Sequence, residues 1–210
     1  MTLDRQFFVI SIKTMIQNTE LENDIVTLSV VQVGLRAQDC SIPSELSAMS
    51  READTTTPKG LLQILQNSAR SLLNHSPSWT HVLGYSQTFP SRDRADAEFQ
   101  QISWKERQKF SAETLTNVEG KINEPSALPY PNPGDPAYIV VTLLVGTAHD
   151  RPLFDRLNSR DQLHRAIEIL TEISEEYLLV FELLWTPQIE TDTLSEAQMH
   201  EHYGQTIPIS

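Results

Sequence analysis

Two apolar runs, Tyr138 to Thr147 (YIVVTLLVGT) and Tyr177 to Trp185 (YLLVFELLW), constrain this chain more than any other feature. Both are far shorter than the twenty or so residues a bilayer demands. With almost no polar alternation they suit strands covered on both faces. Between them Leu163, Ala166, Ile167, Leu170 and Ile173 recur every three or four residues, the stripe of a helix with one buried face, and Asn158 or Ser159 can cap it. Strand, helix and strand joined by short links predict a right-handed crossover between parallel neighbours, a C-terminal β-α-β unit.

The rest of the chain fits around that unit. Ile25 to Ala37 is β-branched, with Val31, Val33 and Leu35 alternating against Gln32, Gly34 and Arg36, and so predicts a half-buried strand. Pro43 to Ala53 suits a short helix. Thr57-Pro58 is a helix start, since a hydroxyl caps orphan amides and proline fills the first turn. Leu61, Leu62, Leu65, Ala69, Leu72 and Leu73 continue that helix until His75 and Pro77. Trp79 to Tyr85 predicts a second strand. Ser103 and Glu106 have capping-box spacing and open a helix to about Val118, with another helical stretch before it from about Arg92. Pro125, Pro129, Pro131, Pro133 and Pro136 make 121–136 a stiff connector. Thr193 and Glu196 repeat the capping-box spacing ahead of a terminal helix. The expected fold class is α/β or α+β: one domain over residues 25–203, a mixed sheet of about four strands covered by helices, an N-terminal segment 1–24 and a tail 204–210.

Charge and glycine spacing exclude more than they assign. Sixteen Lys and Arg face 28 Asp and Glu, a formal charge of −12. No cation follows Arg165, while nine carboxylates do, so the acidic last 45 residues repel phosphate backbones and anionic lipid heads. Nucleic acid is therefore not an expected partner, and a neutral or basic protein is permitted. The seven glycines never stand closer than twelve residues apart, which removes phosphate-cradling loops and the nucleophile elbow. One cysteine, Cys40, leaves no intramolecular disulfide and no thiolate cluster, which fits a reducing compartment. No secretory signal and no membrane span are expected.

Few side chains suggest chemistry. His200 and His202 flank Glu201, but on a helix residues two apart point away from each other and share no ion. His164 and Glu168 are spaced as an i,i+4 surface pair. Cys40, between Asp39 and Ser41, has no basic sequence neighbour to activate it. His75, His81 and His149 have no spacing that assigns them to a triad. No catalytic residue, cofactor or metal site is assigned. Glu182 stands out, because it interrupts an apolar strand and must face water, find a partner, or carry a raised pKa. Pro187 stops that strand, and the turn beyond it is where parallel sheets collect ligands. Glu182, Trp185, Thr186, Pro187, Gln188 and Asp192 are accordingly the candidate partner-binding residues.

Several segments together resemble one family: Val31 to Ala37 (VQVGLRA), Asp54 to His75, Phe99 to Val118, Tyr138 to Gly146 and, most specifically, Leu183 to Glu196 (LLWTPQIETDTLSE). They are similar to the cyanobacterial and plastid proteins called domain of unknown function 1517. The resemblance implies a non-enzymatic regulatory factor in acclimation to fluctuating light, placed in the cytoplasm or at the edge of the thylakoid. It implies action through a protein partner, a thylakoid or envelope membrane protein of the proton-extrusion type, or help in assembling a photosynthetic complex. The glycine-rich, hydrophobic N-terminal region of many members has no counterpart here, so attachment through a partner is expected. A rival expectation is a small-molecule or metal-assisted enzyme using Glu182 with Asp192 or the His200 and His202 pair.

Overall fold

Val26–Arg36 forms a strand, β1, buried at every position but the last. The structure, a computed structural model, describes residues 19–38, 40–109, 116–118, 121–123, 138–188 and 192–209. Beside β1 lie β2 (Trp79–Phe89), β5 (Tyr138–Thr147), β6 (Leu178–Thr186) and the two-residue β7 (Ile207–Pro208), in the order β6-β5-β1-β2-β7. Every pairing in this sheet is antiparallel, which makes the class α+β. Separately, β3 (Thr116–Val118) pairs antiparallel with β4 (Lys121–Asn123), so part of the expected connector is paired; 124–136 lie outside the described residues. The helices are α1 (Thr19–Glu22), α2 (Ile42–Glu52), α3 (Pro58–Asn74), α4 (Arg92–Gln108), α5 (Arg160–Glu172) and α6 (Glu196–Tyr203).

Alternation along β1 divides the core. Val31, Val33 and Leu35 point to the face covered by α2, α3 and α5, where Leu61, Leu65, Leu72, Leu163, Ile167 and Leu170 complete the larger cluster. Val26, Leu28 and Val30 point the other way, onto Ala95, Phe99 and Ile102 of α4. Each such side chain taken from water is worth about 1.5–3 kcal/mol. The expectation of a half-buried β1 is thus corrected. Gln32 is 1% exposed because α4 covers the face that alternation alone assigns to solvent. Gly34 is bare where α6 closes over it: a Cβ there would stand 3.0 Å from Met199 Cε and 3.0 Å from His81 Cβ.

The parallel crossover between β5 and β6 is also corrected. Thr147 pairs with Leu178, and Ala148 N–H donates to Tyr177 O at 2.9 Å, so the chain returns to the end of the sheet that it left. The segment 148–159 accounts for this. Leu157 N–H donates to Gly84 O in mid-sheet, and Arg160 donates to Trp79 O at 2.9 Å, near the opposite end. The link therefore travels the length of the sheet before the helix begins. The helix α5, about 20 Å long, then carries the chain back. A crossover needs one traverse; two traverses give an antiparallel neighbour.

Local signals located α3 well: Thr57 Oγ1 accepts from Gly60 N–H at 3.1 Å and His75 caps the far end. They misplaced α4. Its cap is Ser91, which accepts from Arg94 N–H at 3.4 Å, and the helix ends at Gln108 rather than near Val118. Ser103 lies mid-helix, buried, and its Oγ accepts from Arg107 Nε at 3.3 Å. The terminal helix starts two residues later than expected, with Ser195 and Gln198 forming the capping box.

Candidate functional site

Four residues set side by side by the register, Leu83, Gln32, Thr142 and Leu184, cross the α4 face of the sheet. The two polar ones need partners in a dry layer. Gln32 Nε2 donates to Thr142 Oγ1 at 2.8 Å and to Glu106 Oε2 of α4 at 2.9 Å. Lys109 Nζ, one turn on, donates to both Glu106 oxygens at 2.7 and 2.8 Å. The same ammonium lies 4.5 Å from the centre of the Tyr203 ring, so α6 caps the network by a cation–π contact. Burial pushes the nearby Tyr85 hydroxyl pKa up, with Glu98 and Glu106 adding to the rise.

In the next row Glu182 stands opposite Leu144 on β5 and points into the same layer. It is 4% exposed, and Arg107 of α4 reaches its Oε1 through Nη2. Among the described residues no hydrogen bond reaches either oxygen. Of the three alternatives open to this carboxylate, the structure takes the second: a partner. The Arg107 side chain is 38% exposed, so the pair runs from the interior to solvent.

The other candidates divide by depth. Trp185, Thr186 and Pro187 are buried, Trp185 within the larger core cluster, and a cis peptide joins Thr186 to Pro187. Gln188 and Asp192 are half-buried at the rim. A shallow cleft of about 230 Å³ lies close by, lined by His81, Tyr138, Met199, His200, Tyr203 and Thr206. Burial holds the His81 pKa below its usual value, and its ring meets Tyr138 edge-on at 5.5 Å. Glu182 does not line this cleft. Among the described residues no group of three His, Cys, Asp or Glu could hold a metal ion, and no helix is long and apolar enough to cross a membrane.

Three of the remaining titratable candidates, His164, Cys40 and His75, have neighbours in space. His164 Nδ1 stands 3.4 Å from Glu168 Oε2 on the outside of α5. Cys40 Sγ is 3.9 Å from His75 Nδ1, a neighbour in space that the sequence did not show, yet burial raises the thiol pKa. His75 Nε2 meets Glu45 Oε1 at 2.9 Å. Sequence reading also missed Trp104, which points away from the sheet at 46% exposure. Its signal was available: it lies off the Ala95, Phe99, Ile102 and Glu106 stripe that α4 buries.

Fold and site together define an α+β domain in which a helix is bolted to an antiparallel sheet by the Arg107–Glu182 ion pair and the Gln32–Glu106 hydrogen bond. By its residues 25–209 the chain belongs to the family described as protein of unknown function DUF1517. It is 34% identical over 192 residues to Protein FLAP1 homolog A of Synechocystis sp., covering 86% of this chain and 56% of that protein. It is 30% identical over 197 residues to FLUCTUATING-LIGHT-ACCLIMATION protein 1, chloroplastic, of Arabidopsis thaliana, covering 92% of this chain and 50% of that protein. The chain thus spans about half the length of these relatives. No solved structure matches it.

Proposed function

We propose that this protein acts in acclimation of photosynthesis to fluctuating light, as a non-enzymatic module that docks on protein partners. The names of its two relatives support the setting. The observation that carries the mode of action is the Glu182–Arg107 pair: the most conspicuous carboxylate fastens α4 to the sheet instead of lining a cleft. A reaction centre presents its acid to substrate; this acid supports a surface.

In this reading Glu182, Trp185, Thr186 and Pro187 form the buried footing of the docking surface, and Gln188 and Asp192 are its half-buried rim. The acidic last 45 residues select a neutral or basic patch on the partner. A membrane protein of the proton-extrusion type, or a photosynthetic complex under assembly, fits that description. The test is co-purification from a cyanobacterium with mass spectrometry, comparing the wild-type chain with Asp192→Lys. A protein held in near-equal amount by the wild type and lost from the variant supports the rim as a docking surface; identical partners for both count against it.

A further inference from the structure

Three titratable side chains from three different elements meet beside α2. Cys40 lies in the link between β1 and α2, Glu45 in the first turn of α2, and His75 caps α3. The His75 ring stands between the other two: its Nε2 is 2.9 Å from Glu45 Oε1, and its Nδ1 is 3.9 Å from Cys40 Sγ, within the reach of a sulfur hydrogen bond. Glu45 is ionised, its pKa held down to about 2, and an ionised carboxylate only accepts. In the neutral ring Nε2 therefore carries the proton, and the Nδ1 lone pair faces the thiol. The hydroxyls of Ser71 at 2.6 Å and Ser41 at 2.7 Å fix the carboxylate in turn. A nucleophile, a base within reach and a third group that orients the base are the signature of an activated thiol. The two neighbours use opposite ring nitrogens, an arrangement that moves a proton and does not close on a metal ion.

From this we infer that Cys40 is a modification site, a thiol that a small uncharged hydroperoxide oxidises to a sulfenic acid, with His75 carrying the proton and Glu45 positioning His75. The inference goes beyond the docking function proposed above and does not depend on it. Burial raises the thiol pKa against the pull of the Ile42 amide, and Glu45 adds to the rise, so the proton stays on sulfur until attack begins. His75 takes that proton as Sγ attacks the nearer peroxide oxygen. The S–O bond forms, the O–O bond breaks, and His75 returns the proton to the departing oxygen, which leaves as water or an alcohol. Sulfur is oxidised and the peroxide is reduced. Size and charge select the reagent. Cys40 is half-buried against the larger core cluster, which favours a reagent little larger than water, and the ionised Glu45 repels anions. None of the three residues lines the cleft beside α6, where a bulkier substrate would lodge. Cys40 is the single cysteine, so return to the thiol needs external thiols: one condenses with the sulfenic acid and releases water, and a second attacks the mixed disulfide and frees Cys40.

The test follows loss of the free thiol in the whole chain at pH 7 under hydrogen peroxide, with dimedone trapping the sulfenic acid. A parallel sample is treated with iodoacetamide, whose leaving iodide needs no proton. The folded wild type is expected to react with peroxide about tenfold faster than the same chain unfolded in urea, and to yield the dimedone adduct. His75→Gln lowers the peroxide rate about a hundredfold and the iodoacetamide rate by less, because both reactions lose the base but only the peroxide loses its proton donor. Glu45→Gln lowers the ratio of the two rates by a smaller factor. A folded wild type that reacts with peroxide no faster than the unfolded chain overturns the inference, and that comparison needs no variant. So does an equal fall in both rates with His75→Gln, the mark of altered access alone, and so does a peroxide rate which that variant leaves unmoved. A ratio unmoved by Glu45→Gln overturns the positioning role of Glu45.

Discussion

Arg107→Ala isolates the contact on which the buried layer depends. Removing one partner of a buried pair leaves an uncompensated charge, at about 3–5 kcal/mol where no water enters. Arg107 is 38% exposed, so water follows the truncation and lowers the cost, to about 2–3 kcal/mol. Glu182→Leu is the gentler change, since a half-exposed guanidinium can turn to solvent where a carboxylate under α4 cannot; it costs about 1 kcal/mol or less. The double variant, with apolar groups on both sides, recovers at least half of the Arg107→Ala loss. Urea titration at pH 7 reads these differences directly, and a 2–3 kcal/mol loss lowers the melting temperature by roughly 5–10 °C for a chain of this size. Arg107→Ala within about 0.5 kcal/mol of wild type, or equal costs for the two single variants, refutes the reasoning.

Three further outcomes follow from other parts of the fold. Burial opposes ionisation of Glu45, but the hydroxyls of Ser71 at 2.6 Å and Ser41 at 2.7 Å, with His75, hold its pKa down to about 2. A depressed carboxylate stabilises the fold above its unfolded value and loses that effect as the pH falls toward 2, so Glu45→Gln flattens the acid limb by about 1 kcal/mol after solvent screening. Gly60→Ala gains about 1 kcal/mol of helix propensity, yet its Cβ would fall 1.7 Å from the Asp54 carbonyl oxygen, and a net loss of about 2 kcal/mol is expected in thermal melts. Iodide should quench Trp104 and spare Trp79 and Trp185, so Trp104→Phe abolishes the quenchable emission; quenching that persists in that variant would contradict the burial of the other two.

What the sequence revealed and what it hid have separate physical causes. The helix α3 is written locally, in a hydroxyl cap, a first-turn proline and a leucine stripe, and all three act within one element. The strands β5 and β6 were legible because nine- or ten-residue apolar runs have few other homes. Their relative direction was not, because it depends on 148–159 travelling the length of the sheet, and nothing in composition separates a spanning link from a slack one. The false cap at Ser103 arose from the same gap: Ser, then Glu three residues on, has the capping spacing, but the sheet buries Ser103 and Glu106 on one helical face. Gln32 looked like a solvent-facing member of an alternating strand. Only the arrival of α4, about 70 residues later in the sequence, makes it interior and supplies Glu106 as its acceptor. Glu182 was legible as an anomaly, but the identity of its partner was not, since Arg107 meets it from another layer.

The central claim, that Glu182 supports a docking surface and performs no chemistry, is tested most directly by complementation. A cyanobacterium lacking its own relative of this protein is given the wild-type chain or Glu182→Gln, and growth under fluctuating light is scored against the amount of folded protein. The account predicts that Glu182→Gln restores growth in proportion to its folded level. Normal amounts of folded Glu182→Gln protein with no restored growth would contradict it.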